Sequence, residues 1–205
     1  MSDSPIGDAA IDDAKSAPLD RSTAGPLDEI EANAVRPYVD LGGVKILPRN
    51  DLQLRLEVEE GSNRVVAVAL EYADSTLQVQ PFAAPRNSGL WHEIRQQIVD
   101  QIHKQGGTTR IIDGTFGPEV QAQIPVTTPG QPQGSRLARF VGVDGPRWFL
   151  RGVIAGDAII NPESASKVEE LFRSIVVVRG TTPMPPRDLI PLHMPNTGAP
   201  TDPAA

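Results

Sequence analysis

The apolar–polar pattern changes period several times along the chain, and each change marks an element. Leu52, Leu54, Leu56 and Val58 alternate with Gln53, Arg55, Glu57 and Glu59, the period-two signature of a half-buried strand. Gly61-Ser62-Asn63 turns the chain into a more continuous apolar run, Val65 to Leu70, which predicts a more buried strand. Asp74-Ser75 turns it again, into a third strand through Leu77, Val79 and Phe82. Strands joined by turns this short are antiparallel neighbours. Past the break at 85–88, Leu90, Ile94, Ile98 and Ile102 recur every four residues and Gly106-Gly107 follows. That predicts an amphipathic helix of about four turns with a glycine stop.

The second half again runs from strands to a helix. Ile111-Ile112 is a short strand, and Val120, Ala122, Ile124 and Val126 alternate with polar residues in another. The stretch 127–134, with two prolines and two glycines, reads as a loop, and strands at 136–143 and 147–154 follow. Asn161-Pro162-Glu163 fits the N-cap, N1 and N2 of a second helix, because proline at N1 gives up only an amide that has no helical partner. Val168, Leu171, Phe172 and Ile175 form its apolar stripe, and Val176 to Val178 is either its end or a last β-branched strand. Val39 to Pro48, interrupted by Gly42-Gly43, is an entry strand or a laid-down loop. Runs of strands separated by helices define an α+β class. We expect an antiparallel sheet of about 7–8 strands flanked by two amphipathic helices, in a single domain over 35–180.

Charge separates the termini from this body. Residues 1–34 hold eight acids against Lys15 and Arg21, and so carry six of the seven net negative charges of the chain. They have no sustained apolar period and read as a disordered acidic tail, either a docking arm or a solubilising one. Residues 181–205 are rich in proline and read as an extended tail. A nearly neutral body disfavours nucleic acid as the partner, since affinity for it comes mainly from neutralised phosphates. No cysteine is present, which removes disulfides, thiolate nucleophiles and cysteine-ligated zinc. No signal-peptide pattern opens the chain, and no apolar run approaches the ~18 residues that read as a membrane helix. A cytoplasmic, membrane-free protein is the expectation.

Motifs that carry chemistry are not found. The chain has no G-x-x-x-x-G-K-[ST], no G-x-G-x-x-G after a strand and no G-x-S-x-G. His92 and His103 lie eleven positions apart on one helix, ~16 Å along its axis at 1.5 Å per residue, too far for one metal. The expectation is therefore a protein with no catalytic residues, no metal and no cofactor.

One stretch remains as a candidate binding element: Arg139-Phe140-Val141-Gly142-Val143-Asp144-Gly145-Pro146-Arg147-Trp148-Phe149-Leu150-Arg151-Gly152. Two apolar runs about Asp-Gly-Pro predict a hairpin. If 144–147 is the turn, Val143 faces Trp148, Val141 faces Leu150 and Arg139 faces Gly152. One face then carries Val141, Val143, Trp148 and Leu150, and the other Phe140, Phe149 and Arg151. Guanidinium beside an aromatic ring can hold an anion or a base, which makes Arg139, Arg147, Phe149 and Arg151 candidate contacts. Arg86 and Trp91, at the start of the first helix, extend the set, since a helix N-terminus attracts anions. The structural alternative pairs the arginines with Glu163, Glu169 or Glu170 and buries Trp91 as core.

The hairpin string, together with Leu77-Gln78-Val79-Gln80-Pro81-Phe82-Ala83-Ala84-Pro85-Arg86, Gly89-Leu90-Trp91-His92-Glu93-Ile94-Arg95, Gly114-Thr115-Phe116-Gly117 and the run from Phe172 to Met184, resembles a family of actinobacterial proteins known as a domain of unknown function. The resemblance covers roughly 35–192 and implies no activity and no assigned site. The order of elements is similar, more weakly, to PsbP-like domains, which are antiparallel sheets flanked by helices that serve in binding or assembly. Together these readings point to a non-enzymatic binding or scaffold module with a protein partner. The alternative is an accessory protein that binds nucleic acid or nucleotides through the arginines, and it requires them to gather on one exposed surface.

Overall fold

The computed structural model describes residues 13–127, 129–130 and 134–195. In chain order the elements are α1 (Arg21–Ala24), β1 (Leu27–Asp28), β2 (Val39–Asp40), β3 (Val44–Ile46), β4 (Gln53–Val58), β5 (Val65–Tyr72), β6 (Ser75–Ala83), α2 (Trp91–Lys104), β7 (Thr108–Gly114), β8 (Gly117–Val126), β9 (Gly134–Asp144), β10 (Trp148–Gly156), α3 (Pro162–Arg173) and β11 (Val176–Val177). Seven strands form one antiparallel sheet in the order β4-β5-β6-β10-β9-β8-β7, and four short strands form a second, β1-β11-β3-β2. The segment from Val39 is thus the β2–β3 pair of the small sheet, and Val176-Val177 is a strand, parallel to β1.

The large sheet is held by apolar layers on both faces. One face carries Leu77, Val79, Val141, Val143, Trp148, Leu150 and Ile154, which pack with Val168, Leu171 and Phe172 of α3 and with the small sheet. The other carries Phe82, Ala122, Phe140 and Phe149, which pack with Leu90, Trp91, Ile98 and Ile102 about α2. Both helices bury the stripe that their spacing predicts, and α3 starts as expected: Asn161 Oδ1 accepts from the Glu163 amide at 3.0 Å with Pro162 at N1. A two-residue turn, Ala73-Asp74, joins β5 to β6 with both φ values positive, as a type I′ hairpin requires.

The ordered domain is longer than the expected 35–180. Residues 13–16 run past the hairpin: Gly89 N donates to Asp13 O at 2.8 Å, and Asp144 N to Ser16 O at 2.8 Å. Residues 20–31 supply α1, β1 and a capped 3-10 turn, tied by the Arg21–Glu31 ion pair at 2.6 Å. Asp28 Oδ2 accepts from Trp148 Nε1 at 2.9 Å, beneath the sheet. Residues 187–193 lie against β6 and the 41–43 turn, with Ile190 and Leu192 buried. The expected tail boundaries at 34 and 181 were set by missing apolar periodicity. Here the holding contacts are main-chain hydrogen bonds and single polar pairs, which leave no period. The acidic positions before residue 13 and the prolines after 195 lie outside the described residues.

Candidate functional site

The β9–β10 hairpin is sealed on both sides, and its register differs from the expected one by two. Val143 pairs with Leu150, Val141 with Gly152 and Arg139 with Ile154, because the connection sits one residue later, at 145–148. A shift of two preserves the face of every side chain, so the expected division into two faces holds. Arg139 lies on the α3 face, and its Nε donates to Glu119 at 2.5 Å and its Nη2 to Glu169 at 2.5 Å. Glu119 is completely buried, and glycine is needed at 114 because a Cβ there would overlap its carboxylate. Burial would lower the Arg139 pKa, but the bonds and charges of Glu119 and Glu169 outweigh it and hold the guanidinium above its usual value. Arg139 is a structural ion pair, with one expected partner, Glu169, and one unexpected, Glu119.

Phe149 and Trp91 are also corrected to core. Both are wholly buried. Phe149 stacks between Phe82 and Trp91 at centroid distances of 6.1 and 5.8 Å, and Trp91 Nε1 donates to Pro118 O at 2.6 Å. The indole lies in the space a side chain at Gly142 would fill. Neither ring has a face left for a ligand. Arg151 projects on this second face, opposite to Arg139, so the hairpin arginines do not form one patch. Its Nη2 donates to Gln80 Oε1, and its Nε is buried without a partner.

At the hairpin tip the arrangement is different. Asp144 is buried, and its carboxylate accepts from Leu90 N at 2.8 Å, Ser16 N at 3.0 Å and Trp91 N at 3.4 Å, so it closes the N-terminus of α2. Burial raises its pKa, against these amides and the charge of Lys15. Lys15 Nζ donates to Gly145 O and, at 2.8 Å, to Pro146 O. Burial lowers the Lys15 pKa, and Asp144 opposes that shift. Arg147, exposed on the tip, donates from Nη2 to Gly180 O at 3.2 Å. The neighbouring Arg179 donates from Nη1 to Thr182 O at 2.9 Å, and its Nε is buried without a partner. Arg86 is exposed in the 84–89 loop, which is tied to the tip by Ala84 N to Arg147 O at 3.0 Å.

Three cations, Lys15, Arg147 and Arg179, are thus gathered on main-chain oxygens. Eight other lysines and arginines among the described residues sit in carboxylate ion pairs. A carbonyl fixes a cation's position without cancelling its charge, so these three are not paired off as those eight are. Of the sequence candidates, Arg147 and Arg86 belong here. Lys15 and Arg179 went unseen because the segments that carry them read as tail and as element end.

A larger concavity, about 1340 Å³, opens between the small sheet, the β5–β6 turn and α3 and contains both tyrosines, Tyr38 and Tyr72. Most of its charges are already paired: Arg49 with Glu170, Arg173 with Asp20, Glu71 with Arg55 and Glu31 with Arg21. Among the described residues no three His, Asp or Glu side chains converge as a metal site needs, and no helix is long and apolar enough to cross a membrane.

The fold defines a two-sheet α+β protein with an antiparallel main sheet between helices. The chain belongs to the family described as Protein of unknown function (DUF3710), which matches residues 25–201. Among solved structures it is weakly similar to the solution structure of cyanobacterial PsbP (CyanoP) from Synechocystis sp. PCC 6803. That likeness has 13% identity and a TM-score of 0.38, over 66% of this chain and 87% of that one. None of the curated proteins matches the chain.

Proposed function

We propose that the protein is a non-enzymatic binding module that engages an acidic segment of a protein partner through the hairpin tip. The observation that carries this reading is the set of Lys15, Arg147 and Arg179, held on main-chain carbonyl oxygens rather than in carboxylate ion pairs. Holding them in advance lowers the side-chain entropy lost on binding, and arginine is over-represented among the residues that dominate interface energy. Arg86 extends the patch from the adjoining loop.

A protein partner is favoured over nucleic acid because the body is nearly neutral and two of the four candidate arginines lie away from the tip. Arg139 is ion-paired under α3 and Arg151 lies on the other sheet face. The test is capture of partners from the protein's own cells by the wild type and by an Arg147→Glu/Arg179→Glu variant, with and without nuclease. A partner that survives nuclease, weakens as salt screens the contact and is lost with the variant supports the reading. Material lost with nuclease supports the nucleic-acid reading instead.

A further inference from the structure

Among the described residues, helix covers only part of the α2 side of the large sheet. Helix α2 packs mainly over β7, β8 and β9 and reaches Phe82 of β6 and Phe149 of β10, which leaves the rest of the β4–β5–β6–β10 half without a helix among the described residues. Small or polar residues line that half: Ala67 and Ala69 on β5, Gln78 and Gln80 on β6, and Arg151 and Val153 on β10, in register across the strands. Glu57 of β4 lies opposite Ala67 and accepts from Gln78 Nε2 at 2.5 Å. Gln80 Nε2 donates to Val66 O at 2.8 Å.

Arg151 is the unusual member. Among the described residues it has no carboxylate partner, its Nε is buried without an acceptor, and its side-chain bond runs to the neutral Gln80 oxygen. Burial lowers its pKa and no acid counters this, in contrast to Arg139. A desolvated cation without a counter-charge is destabilising, and a guanidinium presents a fork suited to a pair of anionic oxygens.

We infer that Arg151 anchors an anion site on this open half-sheet, and that its ligand is a singly charged carboxylate group. One unpaired positive charge matches one negative charge. On β9 the position opposite Arg151 is Gly142, over which the Trp91 indole lies. This site lies on the sheet and stands independently of the hairpin tip.

The test uses the full chain with ¹⁵N-labelled arginine, and the Arg151 Nε–H resonance identified by its loss in Arg151→Gln. Sodium acetate is titrated against sodium chloride at equal ionic strength, with inorganic phosphate as a separate arm. The expected result is a saturable acetate shift of the Arg151 resonance, with a rise in melting temperature that the wild type shows and Arg151→Gln lacks. Phosphate binding as tight as acetate overturns the carboxylate assignment. No saturable shift with either anion, or an acetate effect on melting that persists in Arg151→Gln, overturns the site. Arg151→Gln retains an amide that can reach Gln80, so the comparison is made on a folded protein.

Discussion

Asp144 closes the start of α2 from 54 residues away: its Oδ1 accepts from Leu90 N at 2.8 Å, while Leu90, the N-cap residue, provides no side-chain cap. The same carboxylate takes Ser16 N, so one buried group joins the hairpin, the helix and the N-terminal segment. Hydrogen bonds to a charged group contribute about 1.5–3 kcal/mol each. Asp144→Ala is expected to cost about 3 kcal/mol, read from the shift of a urea midpoint. A loss within 0.5 kcal/mol would show that the cap is dispensable.

The pH dependence of that carboxyl has a definite sign. Burial raises its folded pKa, so the folded chain holds the proton more tightly than the unfolded chain, whose Asp titrates near ~3.9. Its contribution to stability is full below that value and is lost as pH rises through the folded pKa. Asp144→Asn lacks this loss. The stability of the variant relative to wild type should therefore climb as pH rises above about 4 and then level off, measured by urea unfolding at a series of pH values. A relative stability that falls over that range contradicts the assignment.

Glu119 depends on Arg139. Removing one member of a buried pair leaves the other charge uncompensated, at about 3–5 kcal/mol. Arg139→Met should show a loss of that size, and Arg139→Met/Glu119→Gln should recover most of it. Additive losses in this double-mutant cycle would mean the two residues act separately.

Gly142 leaves room for the Trp91 ring. Gly142→Ala forces the indole or β9 aside, and overpacking of this kind costs about 1–3 kcal/mol. Tryptophan fluorescence should shift with the loss. An unchanged midpoint and spectrum would show that the space is not tightly filled.

Much of this fold was readable from side-chain period. The stripe Leu90, Ile94, Ile98, Ile102 and the cap Asn161-Pro162 mark the two long helices, and the hairpin faces survived a register error because the error was even. The candidate site was less legible. Phe149 and Trp91 look like a binding surface in sequence but are covered from β6 and α2, which the local pattern cannot reveal. The Arg139–Glu119 pair joins neighbouring strands 20 residues apart, and Glu119 sat within an alternating run that reads as solvent-facing. Lys15 and Asp28 act through single polar contacts with Gly145, Pro146 and Trp148, and an isolated contact has no period to detect.

The central claim is that the hairpin tip is where a protein partner binds, and site-specific photo-crosslinking tests it most directly. A photoreactive residue is placed at Pro146, exposed on the tip, and in a second protein at Ile111, 49% exposed on the edge strand β7. The account predicts a nuclease-resistant protein adduct from position 146 that disappears with Arg147→Glu/Arg179→Glu, and none from position 111. An adduct from 111 alone, or one from 146 that ignores the charge reversal, would contradict it.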